Sequence, residues 1–156
     1  MMQPLRIEYF RFEEDFMEDN IRCIPMIVRF KLDACGIKLK LKEWSKMTYE
    51  ERAFLAEHAI DSISDIHEYK EYLKRCICNH TGNEATLLTI DLHPGWSLTD
   101  RLPDALKEKL NELNLHLSLA QWQKLSTLQR FALLKLTRPG HENKNFPKAM
   151  KEFGLI

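Results

Sequence analysis

The chain lacks any run of eighteen consecutive apolar residues in its 156 positions, which removes a membrane-spanning helix from its reading. It also lacks an excess of charge of either sign. Lys and Arg number 23 against 23 Asp and Glu, so the formal net charge is zero and no global field draws the protein onto nucleic acid or an anionic lipid surface. Neither nucleic acid nor membrane is an expected partner. The opening MMQPLRIEYFRFEEDF carries acids and no sustained apolar region, so the expectation is a cytoplasmic protein without a secretion signal. Cysteine is sparse: there are four, Cys23, Cys35, Cys76 and Cys78, with no CxxC spacing among them. The first two fall inside apolar helical patterns, where Cys behaves as a small hydrophobe, and reduced thiols are the expectation. GxSxG, the P-loop, GxGxxG and HExxH are missing too, which closes the motif-based routes to hydrolase, kinase, dehydrogenase and metalloprotease.

What the sequence does hold is enough apolar material for a real core, 44% hydrophobic and 10% aromatic, in a length that fits one domain spanning residues 1–156. Within it one unit occurs twice. Residues 24–55 align without a gap on residues 102–133 at a constant offset of 78, with nine identities in 32 positions, including Pro25 with Pro103, Trp44 with Trp122 and Arg52 with Arg130. Most other positions keep their polar or apolar character, as an internal duplication would leave them. In each copy a proline opens a helix of about ten residues. The helix stops at Gly36 or Asn114, the residue types that best tolerate a left-handed backbone. Strict alternation follows over residues 37–41 and 115–119, the period of a half-buried strand, and the two segments could pair. Thr48-x-x-Glu51 and Ser126-x-x-Gln129 then read as capping boxes that start new helices. A further helix is expected from Ser64 to about Cys78, with Ile66, Tyr69, Leu73, Cys76 and Ile77 on its apolar stripe. The fold class is therefore all-α, one helical domain of two similar helical units, with room for one short two-stranded pairing. Between the copies, residues 80–101 are too apolar to hang free, and Leu87, Leu88, Ile90, Leu92 and Trp96 are expected to pin that segment to the core.

Each candidate for chemistry has a structural counterpart. Trp44 and Trp122 could stack on a ligand, but their repeat positions favour core anchors. Arg52 and Arg130 could bind an anion, or could pair with a carboxylate of the neighbouring repeat, the preferred reading. Cys76 and His80 share a helical face at i,i+4, too few ligands for a structural metal, and no cofactor or metal is expected. The acidic run Glu13-Glu14-Asp15 reads as a solvated face. His93 and Trp96 form a secondary candidate site, and His93 with His141 is the pair an unrecognised enzyme would use.

The stretch RPGHENKNF from Arg138 is the least expected in the chain. Arg138-Pro139-Gly140 stops a helix, and Asn145 is placed to cap the next, with Pro147 in its first turn. His141, Glu142 and Asn143 are left over after turn chemistry. Together with IRCIPMIVRFKLDACGIKLKLKEW, IDLHPGW and LQRFALLKLTRPGHENKNF, this stretch resembles the nitrate reductase-associated protein family. The resemblance runs from FRFEEDF to Phe153. Its best-known members accompany the molybdenum-containing assimilatory nitrate reductase of cyanobacteria. The resemblance implies a non-catalytic accessory protein that supports assembly, stability or electron delivery of that enzyme, with nitrate reductase as partner, ferredoxin as a second candidate, and no catalytic residue to carry over. Arg138, His141, Glu142, Asn143 and Asn145 are then a signature loop that a partner reads. The contrasting reading is a small-ligand module for molybdopterin or an anion.

Overall fold

The computed structural model describes residues 8–17, 21–139 and 144–156, and within them the architecture is all-α with one small β pairing. By its internal packing the chain forms two units, Met1–Asp91 and Leu92–Ile156.

In the first unit a 3-10 turn at Arg11–Glu13 runs into the short helix α1 (Glu14–Met17). Glu13 is buried, and its carboxylate accepts from the N–H of Phe10 at 2.9 Å and from that of Met26 at 2.7 Å. Met26 is the first residue of α2 (Met26–Cys35), whose cap position is Pro25. Proline offers no side-chain acceptor, so Glu13 supplies one to an orphan donor at the positive end of the helix dipole. The acidic run is therefore not uniformly solvated, because one of its members closes a helix end.

Helix α2 stops at Gly36, which takes φ +74° and donates its N–H to Leu32 O. Ile37–Lys38 then forms β1, paired antiparallel with β2 (Thr86–Leu87), Ile37 opposite Leu87 and Lys38 opposite Thr86. The alternating segment keeps strand geometry for these two residues only, since Leu41 opens α3 (Leu41–Ser45). Its partner comes from the connecting segment. The second alternating stretch, 115–119, forms no strand: 115–118 are irregular and Leu119 begins a helix.

Helices α4 (Tyr49–Glu57) and α5 (Ile63–Thr81) complete this unit's frame. Thr48 and Glu51 make the capping box read from the sequence, with Glu51 N–H to Thr48 Oγ1 at 3.1 Å and Thr48 N–H to Glu51 Oε1 at 2.8 Å. Ser62 and Asp65 make another at the start of α5. Helix α5 buries Tyr69, Leu73, Cys76 and Ile77 against α2, α3 and α4. Full burial of an apolar side chain of this size is worth about 1.5–3 kcal/mol. Polar groups inside are matched to backbone: the Tyr69 hydroxyl donates to Leu55 O at 2.7 Å. Lys31 is buried and donates to Ala56 O at 2.7 Å and His58 O at 2.8 Å, satisfying carbonyls at the end of α4.

The second unit contains a 3-10 turn at Gly95–Ser97 and helices α6 (Asp104–Glu112), α7 (Leu119–Lys124), α8 (Thr127–Lys135) and α9 (Phe146–Glu152). Phe131, Ala132 and Leu133 make α8 its buried centre, against which the 3-10 turn, α6 and α9 pack. Asn114, just past α6, takes φ +54°, the left-handed stop that Gly36 provides in the first unit. Helix starts recur at one displacement, 26 to 104, 41 to 119 and 49 to 127, each 78 residues.

The connecting segment departs from expectation. Leu87, Leu88, Ile90 and Leu92 are exposed, Leu92 to 82%, and only Trp96 is half-buried. The segment is held through its backbone instead, by the β pairing and by Leu88 N–H to Gly36 O at 2.8 Å.

Candidate functional site

Each unit carries a tryptophan and an arginine in corresponding positions. Trp44 in α3 and Trp122 in α7 are fully buried. Each indole N–H donates to a backbone carbonyl at 2.8 Å, of Ile21 in one case and Leu98 in the other. The Arg52 guanidinium lies 5.5 Å from the Trp44 ring centre and that of Arg130 lies 6.0 Å from Trp122. Arg52 donates to Trp44 O at 3.2 Å, Ser45 O at 3.1 Å and Ile21 O at 3.4 Å. Arg130 donates to Leu125 O at 2.6 Å and Trp96 O at 2.9 Å. These acceptors include carbonyls at the ends of short helices, which have no intrahelical donor and for which a planar guanidinium is a suitable fork. The carbonyls named here lie within each arginine's own unit.

Trp96 belongs to this arrangement through its backbone and its ring, which meets Phe131 edge-on at 6.1 Å and 76°. Gly95 lets the turn approach α8: a Cβ there would lie 3.0 Å from Leu134 Cδ2. His93, at the start of the turn, is exposed. His141 lies outside the described residues, so the His93–His141 pair is not placed.

The signature stretch begins where α8 stops at Leu136. Thr137 Oγ1 donates to Leu134 O at 2.6 Å and the Arg138 N–H to Lys135 O at 3.3 Å, which closes the helix end. Arg138 and Pro139 are exposed. Glu142 and Asn143, like His141, lie outside the described residues. Asn145 occupies the cap position of α9 but makes no side-chain cap bond. Its backbone is helical, φ −81° and ψ −9°, whereas an accepting cap residue needs an extended one. Pro147 sits in the first turn, where its missing N–H is harmless.

A polar node in the first unit joins residues that the sequence presents separately, the capping acid Glu51 and the α5 pair Cys76 and His80, and adds Tyr72. Glu51 Oε1, besides capping α4, lies 2.7 Å from His80 Nε2. The Cys76 thiol lies beside Glu51 and the Tyr72 hydroxyl, close enough for each to influence the others' ionisation. Burial alone would raise the Glu51 carboxyl, but the Thr48 N–H, the Cys76 thiol and the His80 ring outweigh it and hold the group down at about 2. Burial, reinforced by Glu51, pushes the Cys76 thiol up to about 12, and Tyr72 is likewise pushed up to about 12. Cys76 and His80 do share a helical face, yet the group between them is a carboxylate from another helix. The sequence signal was the capping box itself, whose acid oxygen can take a second partner besides the Thr48 N–H.

No curated protein and no solved structure shows significant similarity to the chain. A family model described as conserved nitrate reductase-associated protein matches residues 9–153, which takes in both repeated segments, the connecting segment and the signature stretch. The chain belongs to the conserved nitrate reductase-associated protein family.

Proposed function

We propose that the protein is a non-catalytic accessory of a molybdenum-containing assimilatory nitrate reductase in the cytoplasm, supporting that enzyme's assembly or stability. The family match over residues 9–153 carries this reading. The disposition of polar groups supports it. Arg52, Arg130, Lys31, Tyr69 and both indoles donate to backbone carbonyls, the work of a scaffold rather than of a reacting centre. Within this proposal Trp44, Trp122, Arg52 and Arg130 are the anchors of a duplicated unit, near residues 24–55 and 102–133, in one functional domain of residues 1–156. The common 78-residue displacement of helix starts supports that. The stretch from Arg138 to Asn145 is the surface the reductase reads.

The test is co-purification from a native lysate, with the reductase's molybdenum and pterin content measured with and without this protein. Loss of cofactor content or of enzyme abundance is the expected outcome. If both are intact and only turnover with the physiological donor falls, the role is electron delivery, with ferredoxin the partner to examine. A reductase unaffected in all three respects overturns the proposal.

A further inference from the structure

We propose that His58, Asp65 and Glu68 form a binding site for a divalent transition-metal ion of the zinc class. One potential ligand atom from each lies within 4.8 Å of the other two. The three come from the junction of α4 and α5, and two of them are fixed before any ion arrives. His58 is the C-cap of α4: its N–H donates to Phe54 O at 2.8 Å, its carbonyl accepts from Lys31 at 2.8 Å, and its ring stacks on Phe54 at 4.8 Å and 19°. Asp65 Oδ2 accepts from the N–H groups of Asp61 at 3.1 Å and Ser62 at 3.2 Å, which orients the carboxylate while leaving Oδ1 for a ligand. Outer hydrogen bonds of this kind are what hold metal ligands in place.

The second observation concerns the imidazole. His58 Nε2 is shut off from solvent and has no hydrogen-bond partner among the described residues. Glu68 Oε2 stands 3.4 Å away, an approach that is ionic only if the ring is protonated and that lacks hydrogen-bond geometry. A shielded ring nitrogen beside the Glu68 carboxylate, with Asp65 completing the cluster, is a donor that a cation would satisfy. Glu68 is one helical turn from Asp65, and its side chain is 63% exposed, so it can admit an ion from solvent and rotate onto it. One neutral imidazole and two carboxylates balance a divalent charge. The nitrogen donor favours zinc and its neighbours over magnesium and calcium, which prefer all-oxygen sets. Three protein ligands leave coordination positions for water.

The experiment is calorimetric titration of the full chain, stripped with EDTA, with zinc chloride, alongside His58→Phe, Glu68→Gln, Cys76→Ser and Cys78→Ser. His58→Phe keeps an aromatic ring on Phe54. Glu68→Gln changes an exposed acid outside the helix cap, so it remains informative if His58→Phe fails to fold. The expected result is one zinc per chain, an affinity lower by about tenfold or more in His58→Phe and Glu68→Gln, no change in either cysteine variant, and no competition from equimolar magnesium. Absence of binding by the unaltered chain overturns the proposal. So does equal affinity in Glu68→Gln, loss of binding in a cysteine variant, or magnesium competing as well as zinc; any of these means that the three side chains do not hold a zinc-class ion.

Discussion

Glu51 and Arg52 are neighbours in the first turn of α4 and do opposite work, one accepting from the cap of its own helix and meeting His80 of α5, the other donating to carbonyls of α3 and of Ile21. The Glu51 carboxyl is held at about 2, below its ordinary 4.5. A carboxyl whose folded value is depressed contributes stability that is complete above 4.5 and is lost as pH falls through about 2. Acid unfolding of the chain is accordingly expected to steepen over that window. Glu51→Gln should be less stable near neutrality and lack that part of the acid limb, which urea unfolding at a series of pH values reads directly; identical pH profiles would show that the node is energetically idle. Arg52→Ala removes charge-assisted bonds, those to Trp44 O and Ile21 O half-buried and that to Ser45 O exposed, and should destabilise the chain by about 1.5–3 kcal/mol. Arg52→Lys should recover only part of this, because an ammonium cannot reproduce the planar fork. The capping role of Glu51 was legible, since it depends on residues three apart. Its bond to His80 was not, because that contact spans 29 residues and requires knowing that α5 returns beside α4.

Helix starts and stops were the most legible elements, for a physical reason: each is decided within about five residues by a proline, a capping box or a left-handed residue. Helix α5 begins one residue before the position read from the sequence, because Ser62 with Asp65 outcompetes Ser64 as a cap. Strands were the least legible. Alternation in Ile37–Leu41 is equally compatible with a strand or with a short extended entry to α3, and only a partner decides; the partner, Thr86–Leu87, has no alternation of its own. Gly36 is the hinge of this pairing. It takes φ +74°, and a Cβ there would lie 2.9 Å from Leu88 O and 3.0 Å from Ile90 Cγ1. Gly82 takes φ +73°, yet a Cβ there would meet nothing within 4 Å. Both Gly→Ala changes incur the left-handed penalty of about 1–2 kcal/mol, and the excess at Gly36 isolates the contact with the connecting segment. Gly36→Ala should therefore lower the unfolding midpoint more than Gly82→Ala and release amide protection at Leu88. Equal effects would mean that the β pairing yields without loss.

Across the whole molecule, the sequence resemblance and the family match both take in the stretch after α8, which lies beyond the common helix displacement. Its stop at Leu136 and the proline in the first turn of α9 were readable, while the side-chain cap expected of Asn145 was not made. Local stop signals account for Arg138 to Gly140, and no turn requirement accounts for His141, Glu142 and Asn143. Side chains without a folding task can be retained for a partner, and such residues tolerate truncation. His141→Ala and Asn143→Ala are accordingly expected to change unfolding free energy by no more than about 1 kcal/mol, while reducing rescue of nitrate reductase activity in a strain lacking this protein. Arg138 belongs in the same group, since it is exposed and a surface pair contributes at most about 1 kcal/mol. A buried ion pair would instead have made its removal cost about 3–5 kcal/mol. Thermal unfolding and rescue, measured on the same three variants, separate the two roles. Variants that fold normally yet fail to rescue place the stretch on the partner surface; variants that unfold in proportion to their loss of rescue make it an internal staple, and the proposed recognition surface must then lie elsewhere on the chain.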